Sequence, residues 1–245
     1  MPSTLLKSDN GGSLVQRAMN AVTEHIRAEN LRVGDSLPGE AHFAATLGVS
    51  RPVMREAFGA LAALQLIDVG NGRKPRVAAI DGSVMASSLH HAVNTAQITV
   101  PQVWDVRRTI EGRTAALAAE HRTDAEARAI VDLSEAMARC QDDLPQLSRH
   151  DIAFHDAIAR ASHNALFVQI VSSFSDLMEV AVPTAWGTRV AANQRDLMVA
   201  RHRAVADAIF RRDPVAASAA MGAHFDASIG DLLEGMAAAK GSNDD

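Results

Sequence analysis

Cysteine is almost missing from this chain, which excludes the disulfide-stabilised scaffolds common among small secreted proteins. The 245 residues hold one cysteine, Cys140, so an internal disulfide cannot form. Tyrosine is absent and aromatic residues make up 4% of the chain, which disfavours sheet sandwiches and favours helices. There is no run of about 18 uncharged apolar residues to span a bilayer, and no apolar segment near the polar start resembles a signal peptide. We expect a cytoplasmic protein with no membrane partner.

Positive charge is scarce overall but unevenly distributed. The formal net charge is −5. Residues 1–80 hold nine Lys and Arg against seven Asp and Glu, whereas residues 81–245 hold fifteen against twenty-two. With 47% hydrophobic residues, the chain is long enough to form two cores. The asymmetry favours two domains, of which residues 1–80 are the better candidate for contact with a polyanion.

Helix and turn signals near the N-terminus predict a helix-turn-helix. Helical periodicity covers residues 13–29, 39–48 and 50–65, and the last two segments are joined by the tight connection LGVS. Gly48 is suited to end one helix, and Ser50 is a suitable N-cap for the next. The helix that starts at Ser50 therefore occupies the position of a recognition helix.

A hairpin signal follows the recognition helix. The stretch LIDVGNGRKPRVAAI alternates apolar and polar residues around Asn71-Gly72, which predicts two short strands joined by a tight turn. Its tip carries three cations, Arg73, Lys74 and Arg76. Residues 1–80 are thus predicted to form a winged helix-turn-helix DNA-binding domain.

From residue 81 onwards the periodicity is almost continuously helical. The predicted helices cover residues 83–96, 100–121, 124–141, 145–163, 165–182, 190–211 and 214–237. The predicted fold class is therefore mainly α, with an all-helical bundle over residues 81–245 after the winged domain.

Two arginines at the start of the recognition helix are candidates for DNA contact. Arg51 and Arg55 lie four residues apart at the end that such helices insert into the major groove. Arginine there can bind guanine or phosphate, and the Ser50 hydroxyl can meet a phosphate. Wing cations such as Arg73 and Lys74 can follow the backbone or enter the minor groove. The alternative is that these arginines are ordinary solvated side chains.

Histidines on apolar helix faces predict a metal site in the second domain. Asp151 and His155 lie four residues apart and so share one helix face, where apolar residues would be less costly. His202 and His224 fall on the apolar stripes of two other helices. One carboxylate and three imidazoles suit a divalent transition metal, for which we expect zinc, with nickel or manganese as alternatives. The competing interpretation is that they are core histidines bonded to carbonyls.

The segment LPGEAHFAATLGVSRPVMREAFGALAALQLIDVGNGRKPRV resembles the winged helix of the GntR family of bacterial transcription regulators. The likeness covers residues 14–77. It implies that Ser50, Arg51, Arg55 and Gly72 contact DNA. Many members carry an arginine where this chain has Ala41, which leaves one contact in doubt. The resemblance also implies a homodimer that reads a palindromic operator in double-stranded DNA.

Residues 83–237 resemble the FCD ligand-binding domain of the FadR subfamily of these regulators. The matching pieces are VWDVRRTIEGRTAALAA, HDIAFHDAIARASHN, RHRAVADAI and DPVAASAAMGAHF. In metal-containing members, the residues that match Asp151, His155, His202 and His224 bind the metal. The family also places an effector-binding arginine at the position of Arg107, and the spacing to Glu111 favours Arg107 over Arg108 for this role. We interpret Arg108 as a member of a surface ion pair.

Taken with the resemblance, these residues predict a transcription repressor that a small carboxylate releases from DNA. The effector would occupy open coordination positions while its carboxylate meets Arg107. We also expect Asn193 to bind an effector hydroxyl group.

Three alternatives remain open at the level of sequence. The first is a helical metalloenzyme, for which Asp156 or Asp207 would act as general base. The second is a regulator with a purely structural metal. The third is an activator. The winged domain favours a regulator over an enzyme.

Overall fold

The computed structural model describes residues 12–70, 72–189 and 192–241. Asn71 of the predicted hairpin and the first two residues of the predicted helix 190–211 lie outside the described residues. The chain divides into two compact units, one up to Val84 and one from Met85. Eleven helices and two short strands occupy the described ranges, so the prediction of a mainly helical fold is confirmed.

The first unit contains three helices and a small wing. Its elements are α1 (Leu14–Ala28), α2 (Glu40–Leu47), α3 (Arg51–Ala63), β1 (Ile67–Asp68) and β2 (Arg76–Val77). Buried apolar side chains of all three helices meet in one core with Leu37, which precedes α2, and Ile67 of β1. The helical members are Ala18, Val22, Phe43, Ala44, Met54, Ala57, Phe58 and Leu61. This core holds α3 with its N-terminal turn at the surface.

The turn between α2 and α3 follows the sequence signals. Gly48 caps α2 with φ +66°, in the left-handed region that glycine adopts without strain. The Ser50 hydroxyl caps α3 by accepting a hydrogen bond from the Val53 N–H at 3.5 Å, and Pro52 lies in the first turn. The predicted helix-turn-helix is confirmed.

The wing differs from the predicted tight hairpin. The strands pair Ile67 with Val77 and Asp68 with Arg76, so each is two residues long and the connection spans residues 69–75. Pro75 has no N–H to donate, which prevents the ladder from extending towards the tip. A third segment joins the wing, because Ser36 forms a bridge with Arg76. The two short strands predicted here are present, but the connection between them is longer than the predicted tight turn at Asn71-Gly72.

The second unit is an all-helical bundle. Its helices are α4 (Ser83–Asn94), which begins just before the division, α5 (Val100–His121), α6 (Asp124–Arg139), α7 (Leu144–Ala161), α8 (Ala165–Ser172), α9 (Ser175–Thr188), α10 (Ala192–Phe210) and α11 (Pro214–Gly241). Buried side chains from α5, α6, α7, α9, α10 and α11 form one core. The elements α5, α7, α10 and α11 surround the site described below.

The predicted helix over residues 165–182 is in fact two helices, α8 and α9, which meet at an angle of 57°. Phe174 at the break is buried in the core, and the Ser173 hydroxyl donates to the Ile170 carbonyl at 2.6 Å. Pro183 lies inside α9 rather than at its end. Because proline has no N–H, the Glu179 carbonyl one turn earlier loses its helical donor. Glu179 is exposed, so water can donate to that carbonyl instead.

No individual helix in the described part of the chain could span a membrane. None has both the length and the apolar composition to cross a bilayer, although the bent pair α8 and α9 meets that criterion when the two are counted together.

A capping box at the start of α6 introduces a pH-dependent contribution to stability. The Glu126 carboxylate accepts from the Thr123 N–H at 2.7 Å, and the Thr123 hydroxyl accepts from the Glu126 N–H at 3.2 Å. The hydrogen bond from the Thr123 N–H, followed by smaller contributions from the Thr123 hydroxyl and His163, lowers the pKa of Glu126 despite partial burial. A carboxyl whose pKa is lower in the folded state stabilises the fold above its unfolded pKa. That contribution is lost as pH falls through the folded pKa.

Glu126→Gln is therefore expected to lower Tm at about pH 7 and to have a much smaller effect at about pH 3.5, below the ordinary glutamate pKa of about 4.3. Thermal unfolding followed by circular dichroism measures both values. Asp132→Asn, which neutralises an exposed carboxylate of the same helix, is the control. Equal losses for the two variants at both pH values would contradict the prediction.

Candidate functional site

Three helices bring the predicted metal ligands together. Asp151 and His155 lie one turn apart on α7, while α10 supplies His202 and α11 supplies His224. All four are buried, and His202 has no exposed surface. The ligand-capable nitrogens of the three histidines lie within 4.8 Å of one another. The structure thus joins four residues that are separated by up to 73 positions in the sequence.

The Asp151 carboxylate lies between two of the imidazoles. Its Oδ1 is 3.6 Å from His155 Nε2, and its Oδ2 is 3.4 Å from His202 Nε2. Trp186 Nε1 donates a hydrogen bond to Oδ2 at 2.9 Å. This bond to α9 fixes the orientation of the carboxylate.

Hydrogen bonds on the far side of two rings determine which nitrogen faces the cluster. His202 Nδ1 donates to the Met198 carbonyl at 2.9 Å, and His155 Nδ1 is hydrogen-bonded to Glu111 Oε2. Each of these rings therefore directs Nε2 towards Asp151. A protein metal site commonly holds its histidines in this way.

Two buried ring nitrogens in the cluster, His202 Nε2 and His224 Nδ1, have no hydrogen-bond partner among the residues that the structure describes. An unpaired buried polar atom is costly, and a metal ion bound to the lone pairs would remove that cost. Three imidazoles and a carboxylate are also a donor set that divalent transition metals accept. The residues therefore fit a metal ion.

The charge states also suit metal binding. Burial, followed by the neighbouring His202 and His155, lowers the pKa of the His224 imidazole well below its ordinary value, so this ring is neutral and keeps a free lone pair. Burial alone would raise the pKa of Asp151, but the adjacent imidazoles outweigh burial and lower it. Asp151 is therefore an anionic ligand candidate.

Arg107 lies beside the cluster in a buried position on α5. Its Nε donates to Glu111 Oε1 at 2.7 Å, and its Nη1 contacts the Met178 sulfur. Aromatic rings surround the guanidinium, with centroids at 5.5 Å for Trp104, 5.9 Å for Phe174 and 5.1 Å for Phe225. A cation in this setting is a strong partner for an anionic group.

The neighbouring arginine has a different environment. Arg108 forms a bidentate ion pair with Asp226, with distances of 2.6 and 2.9 Å, and both side chains are about half exposed. The sequence interpretation of Arg108 as a surface ion pair is confirmed.

Two small cavities of about 20 Å³ each adjoin the histidine cluster. Both are lined by Arg107, Asp151 and His155. Each has room for about one water molecule or ion. Asn193 is exposed at the start of α10 and lines neither cavity, so the structure does not bring it to the site.

Other residues at the site carried no role in the sequence interpretation. Arg189 is buried, lines the first cavity and stacks on Trp186 with its Cζ 4.7 Å from the ring centroid. Trp186 in turn stacks on His202 with an interplanar angle of 21°. No sequence signal marks these two residues, because α9 begins at an unpredicted break. Glu111 was marked in the sequence only by its position four residues after Arg107.

The predicted DNA-binding residues lie at the surface of the first unit. Ser50 caps α3 and Arg51 begins it, with Arg51 exposed. Arg55 has a 77% exposed side chain, and its Nε lies 3.8 Å from Glu40 Oε2. This weak surface pair leaves the guanidinium available for another anion.

In the wing, Gly72 has φ +73°, and Arg73 and Lys74 are exposed. Arg76 differs from its neighbours because its Nη1 donates to the Gly34 carbonyl at 2.8 Å. Arg73 and Lys74 therefore remain the wing cations suited to an external contact.

The aspartates considered as general bases for an enzyme have other partners. Asp156 accepts from Arg160 at 2.7 Å and from the Ser172 hydroxyl at 3.3 Å. Asp207 lies near the surface, 3.9 Å from Arg203. Neither belongs to the histidine cluster.

Comparisons with known proteins cover both units. Residues 14–77 match the family described as bacterial regulatory proteins, gntR family, and residues 102–227 match the FCD domain. The Glc operon transcriptional activator of Escherichia coli (strain K12) is 32% identical over 200 residues, which cover 79% of this chain and 79% of that protein. The HTH-type transcriptional repressor NanR of Salmonella schwarzengrund (strain CVM19633) is 27% identical over 231 residues, covering 91% of this chain and 88% of that protein.

A solved structure, Streptococcus agalactiae GntR, shares the fold with a TM-score of 0.65. It is 22% identical and covers 87% of this chain and 97% of that chain. A winged helix-turn-helix followed by an FCD domain defines a DNA-binding transcription regulator rather than an enzyme. The chain belongs to the GntR family. FCD domains often bind metal ions, which agrees with the three-histidine cluster.

Proposed function

We propose that this regulator controls DNA binding through a small carboxylate that binds at a metal centre in the FCD domain. Asp151, His155, His202 and His224 are the proposed ligands, with zinc as the proposed metal and nickel or manganese as alternatives. The observation that carries the proposal is the pair of buried nitrogens on His202 and His224 that no described residue meets with a hydrogen bond. A divalent cation held there supplies positive charge that attracts an anion.

The proposed effector is anionic because of the charges that surround the cluster. Arg107 is buried on one side of it, and its guanidinium can donate to a carboxylate in a protected environment. Arg189 adds a second buried cation in the wall of the same cavity. Ser228 supplies a hydroxyl group beside the apolar side chains of Val182 and Phe225, which suits a short organic acid.

Effector binding requires the cavities to enlarge. A volume of about 20 Å³ accommodates a single small molecule such as water, whereas a carboxylic acid is several times larger. Side chains of α9, including Val182, line both cavities, so movement of α9 would open both. The acid then shifts the equilibrium towards the open state by the difference between its binding free energies for the open and closed states.

The proposed DNA contacts use both parts of the winged domain. Arg51 and Arg55 would enter the major groove, and Ser50 with the first turn of α3 would bind a phosphate. Wing residues Gly72, Arg73 and Lys74 would follow the backbone beside the groove. Two copies in a homodimer would read the two halves of a palindromic operator. In a bacterium this function is exercised in the cytoplasm, where the DNA lies.

Repression is the proposed direction of control. One relative bears the name of an activator and another the name of a repressor, so relatives support either direction. A reporter gene fused to the regulator's own upstream DNA tests the proposal. Deletion of the regulator is expected to raise reporter expression, and a fall in expression would show activation.

A purely structural metal is the second candidate role, and the small cavity volumes favour it. Metal removal separates the two roles. If the metal is structural, a chelator unfolds the FCD domain and added carboxylates leave DNA binding unchanged. If the metal centre is sensory, carboxylates alter DNA binding of the loaded protein, and the chelator abolishes that response. Circular dichroism and DNA binding on the same samples distinguish them.

A further inference from the structure

Glu111 is a buried acid between the metal cluster and the effector arginine. Its side chain on α5 is 1% exposed. One carboxylate oxygen, Oε1, accepts from Arg107 Nε at 2.7 Å, and the other, Oε2, is hydrogen-bonded to His155 Nδ1. Each oxygen therefore serves a different partner.

This arrangement determines which nitrogen of His155 carries the proton. A carboxylate is an acceptor only, so the hydrogen bond requires the proton to be on His155 Nδ1. The lone pair of the neutral ring is then on Nε2, which lies 3.6 Å from Asp151 Oδ1 on the side of the cluster. Without an acceptor at Nδ1, the proton could move to Nε2 and remove a ligand.

The same carboxylate restrains Arg107. Its bond to Nε holds the guanidinium between the rings of Trp104 and Phe225, beside the cavity that Asp151 and His155 also line. A buried ion pair contributes little net stability to the fold, since apolar residues of similar volume often give the same or greater stability. Its position between a ligand histidine and a cavity arginine indicates a role at the site.

We propose that Glu111 is a positioning residue of the metal centre, which fixes the His155 tautomer for metal binding and holds Arg107 at the same cavity. This inference rests on the proposed function. Because one side chain contacts both groups, displacement of Arg107 by an effector acts directly on the partner of His155. Glu111 thereby links the effector group to the metal ligand.

Glu111→Gln is the sharpest test, because the amide keeps the size of the side chain but has one acceptor oxygen. If that oxygen faces Arg107, the NH₂ group faces His155 Nδ1 and drives the proton to Nε2. If it faces His155, the NH₂ group opposes the Arg107 N–H. Either arrangement breaks one of the two contacts.

The expected result is a zinc affinity about 10- to 100-fold weaker than wild type, the range found for partners of metal ligands. Zinc competition against a chelator measures the affinity. Visible spectra of bound Co²⁺ report the coordination geometry, and Glu111→Asp is expected to restore part of the affinity. The matched control is Glu120→Gln on the same helix, where the side chain is 40% exposed.

Nitrogen NMR of labelled histidine in the metal-free protein provides a readout that a merely structural role would not change. His155 is expected to carry its proton on Nδ1 in the wild type and to lose that preference in Glu111→Gln. Unchanged zinc affinity and an unchanged tautomer would overturn the inference while leaving the metal proposal intact. A wild type that binds no metal would overturn both.

Discussion

Replacing His202 is expected to weaken zinc binding by about 100-fold or more. The His202 side chain is fully buried on α10, and its Nε2 faces the cluster without a hydrogen bond to any residue in the described ranges. Zinc sites with four protein ligands bind with about 10–16 kcal/mol, so one ligand accounts for about 3 kcal/mol. Competition with a chelator of known affinity measures the change.

Two variants separate metal binding from packing at this position. His202→Ala also leaves a cavity, which costs stability by itself. His202→Gln keeps most of the volume and the polarity but loses the imidazole, and it is expected to lose zinc to a similar degree while remaining folded. The control is His90→Ala, at an exposed position on α4. Wild-type affinity in a folded His202→Gln variant would remove His202 from the ligand set.

The double substitution Arg51→Ala and Arg55→Ala is expected to reduce affinity for operator DNA by about 100-fold or more. Each arginine that contacts a base or phosphate contributes about 1–3 kcal/mol. Both side chains lie at the exposed N-terminal end of α3, and the ion pair that Arg55 would lose with Glu40 is a weak one. Fluorescence anisotropy with a labelled fragment of the upstream DNA measures the change.

Salt dependence and a matched control make this result specific. If the arginines bind phosphates, the slope of affinity against salt concentration should fall as well, since fewer counterions are released. Arg27→Ala removes an equally exposed arginine from α1, where it pairs with Glu24, and should leave DNA binding unchanged. Similar losses for Arg27→Ala and the double variant would show only a general charge effect.

The helix-turn-helix was predictable because its signals are local. Gly48 ends α2 through a backbone conformation that glycine favours, and Ser50 caps α3 through its own hydroxyl. Both residues act on backbone groups within a few positions of themselves in the sequence. The break at Phe174 could not be predicted in this way, because no glycine or proline marks it and the ring is buried against residues distant in sequence. Wing pairing with Ser36 likewise depends on contacts distant in sequence.

The site was predictable in part for the same reason. Asp151 and His155 share a helix face by spacing alone, so their proximity follows from the sequence. His202 and His224 each lie on an apolar stripe, but only the packing of α7, α10 and α11 shows that their rings meet. Trp186 and Arg189 left no pattern, since their role arises from the way α9 packs over the cluster.

Release from DNA by a carboxylate tests the central claim most directly. Anisotropy with the regulator's own upstream DNA at constant salt would be measured with acetate, lactate, succinate, citrate and gluconate, for zinc-loaded wild type and His202→Gln. We expect at least one acid to release the wild type while the variant stays bound. Release of both proteins by the same acid at the same concentration, or release of neither by any acid, would contradict control through the metal centre.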